Sequence, residues 1–355
     1  MDAAKVDWSM GARAARLADW SVAVDIGRRV AGPGVPVVAV DRARMREEIA
    51  ELVSFSERLI TEFTSLEAEG FRARAWVMSR GEWIGSNLKS LQRLLEPLAE
   101  RIVTDNRGEI RRKAMGAQFG ALLGYVSRKV LGQYDVFLPA DDEGLIYFIG
   151  PNVAEAERRF ALPPRDFRLW ISLHEVTHRV QFSAAPWLRG YLSGLVDSYL
   201  SSVQVDSKEL MKQLQRAAEE ARTGGEWKGA GAFFLLLTPE QREIFHRMQS
   251  MMSLLEGHAS FVMNDVAKDH VADLARMRRA LQQRRRASGV ERTFQRAIGF
   301  ESKIKQYDAG EHFVREVVSR AGMQGFNLVW LTEGNLPTLA EIADPIRWVE
   351  RVAGV

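Results

Sequence analysis

The sequence of 355 residues contains no cysteine. This absence excludes disulfide bonds and thiolate metal sites, and it fits a protein of the reducing cytosol. Long apolar runs are also missing, since none approaches the roughly 20 residues that are needed to cross a bilayer. The first residues, Met1 to Trp8, lack the basic and apolar regions of a signal peptide. We therefore predict a cytoplasmic protein with no membrane partner.

A large excess of either charge is missing as well. Lysine and arginine number 49 and aspartate and glutamate 46, which leaves a net charge of +3. This balance gives little support to nucleic-acid binding. A local exception is the arginine-rich segment 276–286, for which we favour a solvated helix face over binding to an acidic partner or nucleic acid. No feature of the sequence indicates an oligomeric state.

Histidine is scarce, with six in the chain, yet two of them lie close together in His174-Glu175-Val176-Thr177-His178. This stretch matches the HExxH pattern, and the surrounding apolar residues recur at near-helical spacing from Phe167 to Val180, after Pro163 and Pro164 and before Ala184-Ala185-Pro186. Positions i and i+4 share one helix face, so both imidazoles can bind one cation. Glu175 can then take a proton from a water at the open position of the metal. The alternative is an ordinary helix, because chance gives such a match on the order of once in a hundred similar sequences.

A catalytic zinc site needs a third protein ligand, which in a chain without cysteine must be histidine, glutamate or aspartate. The best candidates lie in a second apolar helix, predicted over residues 239–267 and capped by Thr238. Glu256 and His258 of this helix are about 200° apart around its axis, so both cannot face one metal. A carboxylate in an apolar helix costs several kcal/mol unless it is compensated, so we favour Glu256 as the ligand and keep His258 as the alternative. A buried salt bridge for Glu256 and a core position for His258 are the structural alternatives.

Two short segments before the HExxH helix are rich in aromatic and β-branched residues. They span residues 134–138 and 145–149 and predict a β-hairpin. Such a hairpin could bind an extended substrate by strand addition, or it could simply cover the core.

A stripe of glycines lies earlier in the chain. Gly116, Gly120 and Gly124 recur every four residues in a predicted helix. Each glycine weakens a helix by up to about 1 kcal/mol relative to alanine, so the stripe predicts a close crossing with another helix. A membrane dimer motif is the alternative, but the apolar run is too short for it.

The HExxH helix is accompanied by shorter landmarks along most of the chain. They are Leu131–Asp135, Gly150–Asn152, Glu256–His258, Lys305–Tyr307, Gly310, Phe313, Asn335–Pro337, Asp344–Pro345 and Trp348. With these residues the chain resembles a family of zincin-like proteins regarded as zinc-dependent metalloproteases and also labelled as associated with biosynthesis of a deazaflavin coenzyme. In the related glutamate zincins the third ligand is a glutamate on a later helix, so the resemblance supports Glu256 by analogy. The deazaflavin label says nothing about a bound cofactor, and the sequence has no Gly-rich phosphate motif that would support one.

The predicted fold is mainly α (α+β), a zincin-like helical domain with a small sheet or hairpin beside the HExxH helix. Hydrophobic residues make up 46% of the chain, which is enough for a large core. We expect residues 1–109 to form an N-terminal helical region that packs on a metal-binding domain of residues 110–355.

The predicted function is hydrolysis of a peptide or another amide by a Zn²⁺-activated water, with His174, His178 and Glu256 as ligands and Glu175 as the general base. Tyr307 is a candidate for stabilising the oxyanion, although a packed core tyrosine is the alternative. Three other functions compete with this one. They are hydrolysis of a small non-peptide amide, a binding or scaffold role in which the metal ties two helices together, and a degenerate zincin without metal.

Overall fold

Helices make up most of the computed structural model, which describes residues 14–67, 73–101, 108–136, 145–202, 237–285 and 300–354. The helices are α1 Trp20–Ala31, α2 Ala39–Thr64, α3 Arg80–Arg101, α4 Gly108–Ser127, α5 Gly150–Phe160, α6 Pro164–Ala184, α7 Trp187–Ser202, α8 Pro239–Val266, α9 Leu274–Arg285, α10 Phe300–Asn327, α11 Leu339–Ala343 and α12 Pro345–Trp348. The strands are β1 Arg74–Met78, β2 Gly132–Tyr134 and β3 Leu145–Ile149. The predicted fold class, mainly helical with a small sheet, is confirmed.

The chain divides into two compact units. Unit 1 comprises Met1–Ser56 and Gly70–Val176, and unit 2 comprises Glu57–Glu69 and Thr177–Val355. The divisions at Ser56 and Val176 fall inside α2 and α6. The expected pairing of residues 1–109 with a domain of residues 110–355 stays a prediction.

Unit 1 contains the sheet, in which the three strands have the order β1-β3-β2. β3 pairs with β2 in the antiparallel direction, as the predicted hairpin requires. The first strand of this pair begins earlier than predicted, at Gly132, and ends at Tyr134; residues 137–144 lie outside the described residues. β3 also pairs with β1 in parallel, from Arg74 opposite Leu145 to Met78 opposite Ile149. Strand β1 was not predicted from the sequence, because its burial does not alternate as in a half-buried strand.

The glycine stripe of α4 packs against α1, also in unit 1. A Cβ added at Gly116, Gly120 or Gly124 would overlap a backbone carbonyl of Asp19, Ala23 or Gly27, respectively. The two backbones therefore approach too closely for any side chain at the crossing. The predicted close helix crossing is confirmed.

Unit 2 is built around α8, which packs against α7 and α10. Gly257 of α8 and Gly310 of α10 lie back to back, and a Cβ on Gly257 would overlap the carbonyl carbon of Gly310. Thr238 caps α8, since its hydroxyl accepts from the Gln241 N–H while the Gln241 side chain accepts from the Thr238 N–H. The capping box stabilises the first turn of α8. The close crossing at Gly257 sets the position of the later part of the helix, which carries Glu256.

None of the described helices combines the length and the apolar character that a membrane span requires.

Candidate metal centre

The HExxH stretch lies in the middle of α6, as predicted. The apolar residues that recur around it are buried, and they include Trp170, Leu173, Val176 and Val180. Burial of this stripe stabilises the helix in tertiary packing, since helical propensity alone is a weak driving force. His174 and His178 are partly exposed and lie one helical turn apart.

Three of the predicted site residues come together. His174, His178 and Glu256 each offer one ligand atom, and these atoms all lie within 4.8 Å of one another. Nε2 of His178 is 3.6 Å from Oε2 of Glu256, and the two side chains are 14% and 19% exposed. Two imidazole nitrogens and one carboxylate oxygen form a donor set that could hold a metal ion.

Glu175 is held separately, by the strand β2 of its own unit. Its carboxylate oxygen Oε2 accepts a hydrogen bond from the backbone N–H of Tyr134 at 3.1 Å, and the residue is 7% exposed. Gly132 of the same strand lies against this side chain, because a Cβ added there would come within 2.6 Å of Glu175 Cγ. The strand thus orients the carboxylate through the Tyr134 N–H, and the absence of a side chain at Gly132 leaves room for it.

Gln181, one turn after His178 on α6, connects the second histidine to α8. Its Oε1 lies 3.0 Å from Nδ1 of His178, and its Nε2 donates to the backbone carbonyl of Leu255 at 2.9 Å. The same Nε2 lies 3.0 Å from Nδ1 of His258. Gln181 is fully buried, so these contacts are shielded from water.

His258, the alternative ligand, lies outside the group of three. Its ring is fully buried and stacks on Phe326 with centroids 5.0 Å apart, while the Trp330 ring lies 5.3 Å away. Burial, with a smaller contribution from His178 when that ring is protonated, lowers the pKa of His258 from its ordinary value of 6.5 to about 3. His258 is therefore a neutral core histidine that touches the site through Gln181.

Two other predicted residues or segments have different outcomes. Tyr307 falls in α10, but its side chain lies outside the described residues, so its role stays a prediction. The arginine-rich segment begins in α9, where Arg278 and Arg279 are exposed and Arg278 donates to Asn264. Its continuation from residue 286 lies outside the described residues, and its interpretation as a solvated face stays a prediction.

No pattern in the sequence assigned a role at the site to Gly132, Tyr134 or Gln181, although the first two belong to the landmark Leu131–Asp135. Gln181 could have been found, since it lies three residues after His178 and so shares its side of the helix. Tyr134 acts through its backbone N–H, and Gly132 acts through its lack of a side chain. Neither feature can be recognised as part of a site from the sequence.

Comparisons with known proteins agree with this geometry. A family profile for zincin-like metallopeptidases matches residues 18–349. The chain is also similar to a crystal structure of a candidate hydrolase with a novel fold from Chloroflexus aurantiacus. The two are 32% identical with a TM-score of 0.72, and the similarity covers 95% of this chain and 99% of that one. The comparison with curated proteins gave no match.

The family match spans the HExxH helix, Glu256 and both flanking regions of the chain. The predicted resemblance is confirmed, and the chain belongs to the family of zincin-like metallopeptidases.

Proposed function

We propose that this protein is a zinc-dependent metallopeptidase in which His174, His178 and Glu256 hold the ion and Glu175 is the general base. The observation that carries the proposal is the convergence of two imidazoles and one carboxylate, whose ligand atoms lie within 4.8 Å of one another. Membership of the family and the likeness to a candidate hydrolase support the same class of reaction.

The donor set suits zinc in a catalytic role. Structural zinc sites fill all four positions with protein ligands. The group found among the described residues, two histidines and one glutamate, leaves a position for water or substrate. Nitrogen and carboxylate donors without thiolate are the set found in catalytic sites of the His₂Glu type. A bound zinc ion would supply Lewis-acid chemistry, polarising a carbonyl group and making water more acidic.

Proton transfer falls to Glu175. Its carboxylate takes a proton from the attacking water and returns it to the leaving amine of the substrate, as one positioned group can do in both directions. The Tyr134 N–H bond at 3.1 Å restricts the carboxylate to one orientation, and Gly132 leaves room for it. A general base held in this way loses little entropy when the substrate binds.

A peptide or another amide fits this chemistry as the substrate. Among the described strands, β2 lies at an edge of the sheet and contacts Glu175 through Tyr134. An extended peptide can add to a sheet edge by backbone hydrogen bonds, which favours a peptide over a small amide.

The test compares wild-type protein with Glu175→Gln, both purified without a metal column. We expect stoichiometric zinc in both by elemental analysis, and cleavage of a peptide library by the wild type alone. Glu243→Gln, at an exposed position of α8, is the matched control and should behave as the wild type.

Other outcomes of this test distinguish the competing functions. Absence of stoichiometric metal from both proteins would favour a degenerate zincin. Zinc without cleavage of any peptide would favour a scaffold or a small-amide hydrolase, and full activity of Glu175→Gln would remove Glu175 from the mechanism.

A further inference from the structure

The contacts of Gln181 determine which of its side-chain atoms is oxygen and which is nitrogen. The backbone carbonyl of Leu255 lies 2.9 Å from one of them, and a carbonyl can only accept a hydrogen bond. That atom must be the amide nitrogen Nε2. The other atom, 3.0 Å from His178 Nδ1, must therefore be the oxygen Oε1.

This orientation of the amide fixes a proton on His178. An amide oxygen can only accept, so Nδ1 of His178 must carry the hydrogen of that bond. The lone pair of the neutral ring is then on Nε2. Nε2 is the atom that faces Glu256, at 3.6 Å from its Oε2.

The same amide acts in the opposite sense on His258. Nε2 of Gln181 has two hydrogens, of which one goes to Leu255 and the other points to Nδ1 of His258 at 3.0 Å. Nδ1 of His258 therefore accepts, and the proton of its neutral ring is on Nε2. One buried glutamine thus imposes opposite tautomers on two histidines of neighbouring helices.

We propose that Gln181 is a positioning residue that holds His178 in the Nδ1–H tautomer, with its Nε2 lone pair directed to the metal position. The value of this tautomer for metal binding rests on the proposed function; the tautomer itself does not. In metal sites, the hydrogen bond made by the second ring nitrogen sets the tautomer and ring orientation. Loss of such a partner lowers metal affinity by roughly 10–100-fold.

A purely structural role is the competing explanation, since Gln181 also ties α6 to α8 through Leu255. Gln241 offers a matched control for that role. It is likewise a buried glutamine of unit 2 whose Nε2 donates to a backbone carbonyl, that of Ser202 at 3.0 Å, and it touches neither histidine. Gln241→Met should remove comparable hydrogen bonds without a change at the histidines.

The test records long-range ¹H–¹⁵N correlations of the histidine rings in full-length protein labelled with ¹⁵N-histidine. Spectra are taken with zinc and after removal of metal by a chelator, and the His178 signals are assigned with a His178→Gln variant. We expect Nδ1 of His178 to be protonated in both states of the wild type, and Nε2 of His258 to be protonated. In Gln181→Met, Nδ1 of His178 should no longer be held in the protonated form, and zinc binding should weaken by roughly 10–100-fold in chelator competition. Gln241→Met should show neither change.

Two results would overturn the proposal. One is an unprotonated Nδ1 of His178 in wild-type protein, which can be read even if the Gln181 variant fails to fold. The other is a folded Gln181→Met protein with unchanged tautomer and zinc affinity. A protein that shows the expected tautomers without binding zinc would refute the proposed function but leave the tautomer assignment standing.

Discussion

Glu175 and Glu256 are both glutamates, but their surroundings differ. Glu175 is 7% exposed and receives a backbone hydrogen bond from strand β2 of unit 1. The Glu256 side chain is 19% exposed and faces the imidazole of His178 within unit 2. The backbone N–H of Tyr134 orients the Glu175 carboxylate without adding a charge. The His178 imidazole beside Glu256 offers a second atom that can bind a metal ion. In the proposed mechanism, these surroundings suit Glu175 to proton transfer and Glu256 to ligation.

Each of the two glutamates has a glycine nearby, but the two glycines contact different parts of the protein. Gly132 lies directly against the Glu175 side chain. Gly257 follows Glu256 in sequence and lets α8 pack closely on α10 through Gly310. One glycine makes room for a side chain, and the other makes room for a whole helix. Changes at these positions should therefore have different consequences.

The largest effect is expected from loss of Glu256, because this residue is one of the three ligands of the proposed site. Glu256→Ala should lower zinc affinity by more than the roughly 10–100-fold that loss of an outer partner costs, and hydrolysis should fall with it. Chelator competition and elemental analysis measure the change. His258→Ala is the matched variant on the same helix and should retain the metal. The reverse pattern would exchange the roles of Glu256 and His258.

Glu175→Gln should have the next largest effect, confined to the chemical step. The amide keeps the shape of the side chain but cannot take a proton, so kcat should fall on the order of 10²–10⁴-fold with zinc content unchanged. Steady-state kinetics on a cleaved peptide and metal analysis of the same sample give both quantities. A parallel loss of zinc would show that Glu175 and Glu256 are not separated in function as their surroundings indicate.

Sequence alone could predict the features that are local or repeated. His174, Glu175 and His178 lie on two turns of one helix, so their spacing in the sequence predicts that the two histidines share one helix face. The stripe of Gly116, Gly120 and Gly124 repeats three times, which distinguishes a close crossing from chance. Glu256 could be identified because a carboxylate in an apolar helix requires a partner.

The features that sequence could not reveal are single contacts between distant segments. Gly257 and Gly310 form a close crossing like that of α4, but neither has another glycine four residues away in its helix, so no repeat marks it. The parallel pairing of β1 with β3 joins segments separated by two helices and a strand. The role of Gly132 depends on the position of Glu175, which only the folded chain defines.

Gly132→Ala should affect catalysis without affecting the metal. The added Cβ would lie 2.6 Å from Glu175 Cγ, and pairing of Gly132 with Phe148 restrains the strand from moving away. A displacement of about 1 Å at a reacting group can cost on the order of 10²-fold in rate, so we expect a loss of up to this size in kcat at constant zinc content. Gly85→Ala, where an added Cβ meets nothing within 4 Å, is the control and should keep full activity. Unchanged kcat in a folded Gly132→Ala protein would show that the carboxylate does not depend on this strand.

Gly257→Ala should have the smallest effect on the chemical step and act through the position of α8. The added Cβ would overlap the backbone of Gly310, and overpacking of this kind typically destabilises a protein by about 1–3 kcal/mol. Urea unfolding should show the loss, together with weaker zinc binding because Glu256 moves with the helix. Gly194→Ala, on α7 with nothing within 4 Å of an added Cβ, should leave both quantities unchanged or slightly improve stability. If Gly257→Ala instead lowered kcat at unchanged zinc affinity and stability, the helix of Glu256 would contribute to proton transfer as well as to ligation.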